Sequence, residues 1–139
     1  MTATTPLLRV VVLVSGRGSN LKAISARADA GELPVRIEAV VSDRMDAGAL
    51  DWARARGIAT SVLSPRDFPD REAYGRALGD IVESHAPQLV VLAGFMRILS
   101  DEFVLRFSGR MLNIHPSLLP RYAGLHTHRR ALAAGDREH

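Results

Sequence analysis

Leu7-Leu-Arg-Val-Val-Val-Leu-Val-Ser-Gly-Arg-Gly-Ser-Asn20 is the stretch whose reading decides the fold. Apart from Arg9, residues 7–14 are all apolar and rich in valine. A strand with one face in water alternates apolar and polar side chains. A strand without that alternation is buried on both faces, as in a parallel sheet covered by helices. The run stops at a turn with two glycines, 15–20, and residues 21–30 then read as a helix ended by Gly31 and Pro34. Strand, glycine turn and helix in that order open a βαβ unit.

The remainder of the chain repeats the unit. Residues 35–42 read as a second strand and 46–56 as a second helix, closed by Gly57 where helices commonly take a left-handed residue. A short third strand at 58–63, a Pro-containing loop, a third helix at 70–85 and a fourth strand at 88–93 follow. Ser100 then caps a short helix at 101–107. A fifth, buried strand begins at Met111 and runs out at Pro116, and a last helix covers about 127–134. Such alternation predicts one α/β domain over residues 1–139, with a doubly wound, mostly parallel sheet and helices on both faces. Ligands of these sheets bind beyond the carboxyl ends of the strands, where the strand order reverses. Three polar strand ends are therefore expected to converge: 15–20, 94–99 and 113–115.

Composition narrows the function classes. The 139 residues suffice for a single core, and with aromatics at only 5% that core must be built from Val, Leu, Ile and Ala. The net charge is +3, but the arginines are scattered and Lys22 is the only lysine, so no nucleic-acid footprint is expected. The absence of cysteine excludes disulfides and thiolate metal sites. No signal peptide and no membrane-spanning run are evident, and a cytoplasmic protein is expected.

Each strand end admits two readings. In the glycine turn, Leu21 occupies the position of the third small residue of a dinucleotide fingerprint, and the triphosphate-binding loop pattern is absent. What remains is a single phosphate held by Gly18, Ser19 and Asn20, or a tight turn capped by Ser19. Phe95, Met96, Ile98 and Leu99 are apolar where a loop should be polar, so they either line a slot for a flat heterocycle or cover the core. Arg97 between them is either a ligand contact or a solvated surface arginine. Asn113 and His115, two apart on a strand, share a face. An amide donor and an imidazole there suit acyl-type chemistry, or they cap a strand end. Trp52 reads as core. His126 and His128 suit capping or substrate contact better than metal, and no metal site is expected.

Together, Ser15-Gly-Arg-Gly-Ser-Asn20, Gly94-Phe-Met-Arg-Ile-Leu99, Leu112-Asn-Ile-His-Pro-Ser-Leu-Leu-Pro120 and Gly124-Leu-His-Thr-His-Arg129 closely resemble the phosphoribosylglycinamide formyltransferases of purine biosynthesis. The similarity runs from about Arg9 to the last residue. The resemblance implies a Rossmann-like formyltransferase fold that moves a formyl group from 10-formyltetrahydrofolate to the amine of glycinamide ribonucleotide. It implies that Gly18, Ser19 and Asn20 hold the substrate phosphate. Arg71, Met96, Arg97, Ile98, Leu99 and Asn113 would bind the folate, and Asn113 and His115 would be catalytic. Neither metal, nucleic acid nor membrane is implied as a partner, and a monomer or homodimer is expected. The family's third catalytic residue, an aspartate, is expected beyond His139, so the 139 residues alone are expected to be inactive and prone to self-association. Other readings are a formyltetrahydrofolate hydrolase, a methionyl-tRNA formyltransferase, or a non-catalytic sugar-phosphate-binding domain.

Overall fold

The computed structural model describes residues 6–114. Strands and helices alternate through them: β1 (Leu8–Val14), α1 (Ser19–Asp29), β2 (Val35–Ser42), α2 (Gly48–Ala55) and β3 (Ala59–Val62). A 3-10 turn (Pro65–Asp67) leads into α3 (Arg71–Glu83), β4 (Leu89–Ala93), α4 (Asp101–Arg106) and β5 (Met111–Ile114). The strands lie in the order β3-β2-β1-β4-β5, and each neighbouring pair is parallel. The chain builds outward from β1 through β2 to β3, then returns to lay β4 and β5 on the other side. The reversal falls between β1 and β4, which is where the fold class expects a ligand.

The uninterrupted valine run explains why β1 is central. Val10, Val12 and Val14 pack with Leu21 and Ile24 of α1 and with Leu50 and Ala53 of α2. Val11 and Leu13 point to the opposite face and pack with Tyr74, Leu78 and Val82 of α3 and Phe103 of α4. All five strand residues are at most 1% exposed. Each contributes roughly 1.5–3 kcal/mol relative to an exposed position, so a polar residue on either face would be costly. This is the doubly wound arrangement expected of the sequence.

Helix α4 lies directly on α3 because Gly75 and Gly79 leave space for it. A Cβ on Gly79 would come within 2.6 Å of Arg106 Nη1, and one on Gly75 would strike the Ser100 hydroxyl. Ser100 is the expected cap of α4, its Oγ accepting the Phe103 N–H at 3.2 Å. The loop leaving β4 is thereby anchored at its far end.

Several boundaries differ from the expectation. Helix α1 begins two residues early, at Ser19, and α2 is shorter than expected. Asp70 is the cap of α3 and not its first residue, its carboxylate accepting the Ala73 N–H at 2.8 Å. In β5 only Ile114 is buried and the other three residues are half-buried, because among the described residues β5 pairs with β4 alone. Trp52 is half-buried against the α1–α2 core, with the Arg56 guanidinium 4.8 Å from its ring centroid. The expected last helix, His115, His126 and His128 lie outside the described residues.

Candidate active site

The turn after β1 is shaped by one glycine. Gly18 adopts φ 79° and ψ 37°, a left-handed conformation that side chains other than glycine resist. Its carbonyl accepts the first helical hydrogen bond, from Lys22 N–H at 2.8 Å, so Gly18 is the N-cap of α1. Among the described residues no side chain caps this helix. Of the two readings of this turn, the Ser19 cap is not met: Ser19 is the first helical residue and is exposed. Asn20 is buried, and its amide Nδ2 donates to the Ile114 carbonyl at the end of β5 over 3.4 Å. The uncapped N–H groups of the first turn and the positive end of α1 give the turn the character of an anion site.

The loop leaving β4 is held over the sheet by two bonds. The backbone N–H of Met96 donates to Ser15 Oγ at 2.8 Å, joining the β4 loop to the β1 turn across the reversal point. Arg97 Nε donates to Asp43 Oδ2 at 2.7 Å, joining the same loop to the end of β2. The apolar residues of this loop divide into two sets. Met96 and Ile98 are 79% and 71% exposed. They line an open cleft of ≈ 470 Å³ with Phe68, Arg71, Tyr74 and Arg97. Phe95 and Leu99 turn inward to the α3–α4 core. Of the six residues expected at a folate slot, Asn113 stands apart on β5, whereas Arg71, Met96, Arg97 and Ile98 meet around one cleft. The Leu99 side chain does not: it occupies the position before the Ser100 cap, in one core cluster with Val104, the arrangement of a hydrophobic staple.

Sequence reasoning missed the other walls of this cleft. Tyr74 is buried, its hydroxyl donating to the Leu63 carbonyl at 2.8 Å, and Phe68 meets it edge-on with ring centroids 5.5 Å apart. Burial, with the nearby Asp43 carboxylate adding to it, pushes the Tyr74 phenol well above its ordinary value of 10.0. It therefore remains a donor. Asp43, the first residue after β2, was missed as well; its position at a strand's carboxyl end was the available signal. A second, larger cleft of ≈ 930 Å³ adjoins the first and shares Pro65 and Arg97 with it.

Asn113 pairs in register with Leu92 and is half-buried on β5. Alternation puts it on the same sheet face as Met111, which packs with the α3–α4 core. Among the described residues no cluster of three or more His, Asp or Glu is arranged to hold a metal ion, and no helix is long and apolar enough to cross a membrane.

A phosphate-type turn, a two-arginine cleft and an Asn-bearing strand end thus stand side by side on a five-stranded parallel sheet. The sequence model of the formyl transferase family matches residues 8–139. The chain belongs to the formyl transferase family. This formyl transferase chain is 53% identical over 132 residues to the phosphoribosylglycinamide formyltransferase of Escherichia coli (strain K12), covering 95% of the chain and 62% of that relative. The solved phosphoribosylglycinamide formyltransferase of Coxiella burnetii superposes with a TM-score of 0.76 at 48% identity, covering 94% of this chain and 61% of that one. The glycinamide ribonucleotide transformylase 1 of Symbiobacterium toebii gives 0.77 at 40% identity, with 95% and 62% covered. The formyl transferase chain spans 62% of the length of the E. coli relative and of a second curated relative, from Haemophilus influenzae.

Proposed function

We propose that this chain is part of a phosphoribosylglycinamide formyltransferase domain. It would move the formyl group of 10-formyltetrahydrofolate to the glycinamide amine of glycinamide ribonucleotide. Gly18, Ser19 and Asn20 hold the substrate phosphate at the start of α1. Arg71, Met96, Arg97 and Ile98 receive the folate, with Phe68 and Tyr74 as its aromatic wall; Leu99 supports the slot from beneath. The observation that carries this reading is the bond from Met96 N–H to Ser15 Oγ, which holds the two binding loops side by side.

In the reaction the amine lone pair attacks the formyl carbon, forming a C–N bond and a tetrahedral oxyanion. The Asn113 amide and a protonated His115 stabilise that charge. A proton then passes from the attacking nitrogen to N10 as the C–N10 bond breaks, releasing tetrahydrofolate. No covalent bond to the enzyme forms. The protein works in the cytoplasm as a monomer or homodimer on small molecules.

Ligand-induced thermal shift tests the assignment. Stabilisation by glycinamide ribonucleotide and, separately, by a folate analogue supports the transferase. Stabilisation by nucleotides alone would replace it with a non-catalytic nucleotide-binding module.

A further inference from the structure

We infer that Asp43 is a positioning residue for the ligand of the two-arginine cleft. Its buried carboxylate grips Arg97 through Nε, so that the outer edge of the guanidinium is held ready for a carboxylate of the bound folate. The inference rests on the proposed function and adds to it a residue that touches no ligand.

The Asp43–Arg97 pair differs from its neighbours. The carboxylates of the other arginine ion pairs between described residues are 22% to 89% exposed, the ordinary state of surface charge. The Asp43 side chain is 1% exposed, while that of Arg97 remains 49% exposed. A carboxylate is costly to bury, and pairing offsets that cost only when both oxygens find partners. Here Oδ2 has Arg97 at 2.7 Å, whereas buried Oδ1 has no hydrogen-bond partner among the described residues. As a device for stability the arrangement is poor. As a clamp it has a use. A guanidinium presents donors along more than one edge, and a single bond at Nε leaves the outer edge for a second planar acceptor. Arg71, exposed at the start of α3, lines the same cleft and supplies a second cation.

Two effects of Asp43 on an anionic ligand oppose each other. Its charge repels the ligand, with the guanidinium between them. Its grip removes rotamer freedom from a long side chain before the ligand arrives, and immobilising such a side chain is worth about five- to tenfold in affinity. Substitutions separate the two. Asp43→Ala removes charge and grip together. Asp43→Asn keeps an oxygen that can accept the Nε–H and removes only the charge. Arg97→Lys keeps the cation and removes the Nε donor; its exposed position makes it the safer variant for folding.

The experiment measures the dissociation constant of a folate analogue bearing glutamate carboxylates, and of the same analogue truncated to lack them. Asp43→Ala and Arg97→Lys are each expected to weaken the carboxylated analogue about five- to tenfold and to leave the truncated one unchanged. Asp43→Asn is expected to restore affinity to the wild-type level or above it. Wild-type affinity in both Asp43→Ala and Arg97→Lys would overturn the inference while leaving the transferase reading intact. A lowered melting temperature in Asp43→Ala without a change in affinity would reduce Asp43 to a structural role and overturn the inference in the same way. Equal weakening of the truncated analogue would overturn the assignment to a carboxylate. No binding of either analogue by the wild-type protein would overturn the transferase reading, and this inference with it.

Discussion

The side-chain amide of Asn20 reaches from the first turn of α1 to the carbonyl of Ile114, 94 positions away, with Nδ2 donating over 3.4 Å. The bond is long, yet it ties the anion-binding turn to the strand end that carries Asn113. Asn20→Ala removes the proposed phosphate contact and this tie together. Its dissociation constant for glycinamide ribonucleotide is expected to rise about ten- to hundredfold, the usual scale of one hydrogen bond to a charged group. Calorimetric titration measures it, and an unchanged constant would remove Asn20 from the site.

Gly18 and Gly16 share one turn but should respond differently to alanine. Gly18 has φ 79°, and a Cβ there would stand 2.7 Å from the Ala49 Cβ. Gly16 meets nothing within 4 Å. Gly18→Ala is expected to cost about 1–3 kcal/mol from the strained backbone conformation, with the contact adding to it. Gly16→Ala should leave the denaturation midpoint close to wild type. Equal midpoints for the two variants would contradict the geometry of the turn.

Measured in a chain of the relatives' full length, Asn113→Ala should slow formyl transfer about 10²–10³-fold, the usual loss when one oxyanion donor is removed. Circular dichroism should report an unaltered fold, since Asn113 is half-buried on β5. An unchanged kcat would exclude the residue from the chemistry.

Tyr74 gives stability an alkaline limit. Its folded pKa lies above the ordinary 10.0, first through burial and then through the Asp43 charge. The unfolded chain therefore loses the phenolic proton first. The stability that this group contributes is complete below about pH 10 and falls as pH rises from there toward the folded value. Chemical denaturation at pH 9 and pH 11 should show that slope, and Tyr74→Phe should reduce it. The same variant deletes the bond to the Leu63 carbonyl and should cost about 1 kcal/mol at neutral pH.

Much of this organisation was legible in the sequence. The run Val10–Val14 announced a strand buried on both faces because each side chain meets a helix layer of its own. The helix starting with Asp101 was legible from Ser100, whose hydroxyl does what a cap must do. At the β1 turn the alternative of a Ser19 cap fails, because the left-handed backbone at Gly18 moves the cap back one residue. Leu99 sits in an apolar loop that looks uniform along the sequence. Only its place before the Ser100 cap distinguishes it from Met96 and Ile98, which face the cleft. Asp43 left no periodic trace, and its partner Arg97 is 54 residues away.

Strand β1 is hydrogen-bonded to β2 on one side and to β4 on the other, and its side chains belong to both cores. Its amides should therefore be among the last to exchange with deuterated solvent, opening only when the whole domain unfolds. The turn proposed to hold the phosphate grows directly from this strand, so that site would be mounted on a firm abutment. The loop after β4 leaves the same sheet but is retained over the cleft by Ser15 and Asp43. Exchange should be faster there and should slow when a folate analogue binds. One ligand would then meet a seat already formed, and the other would complete its own.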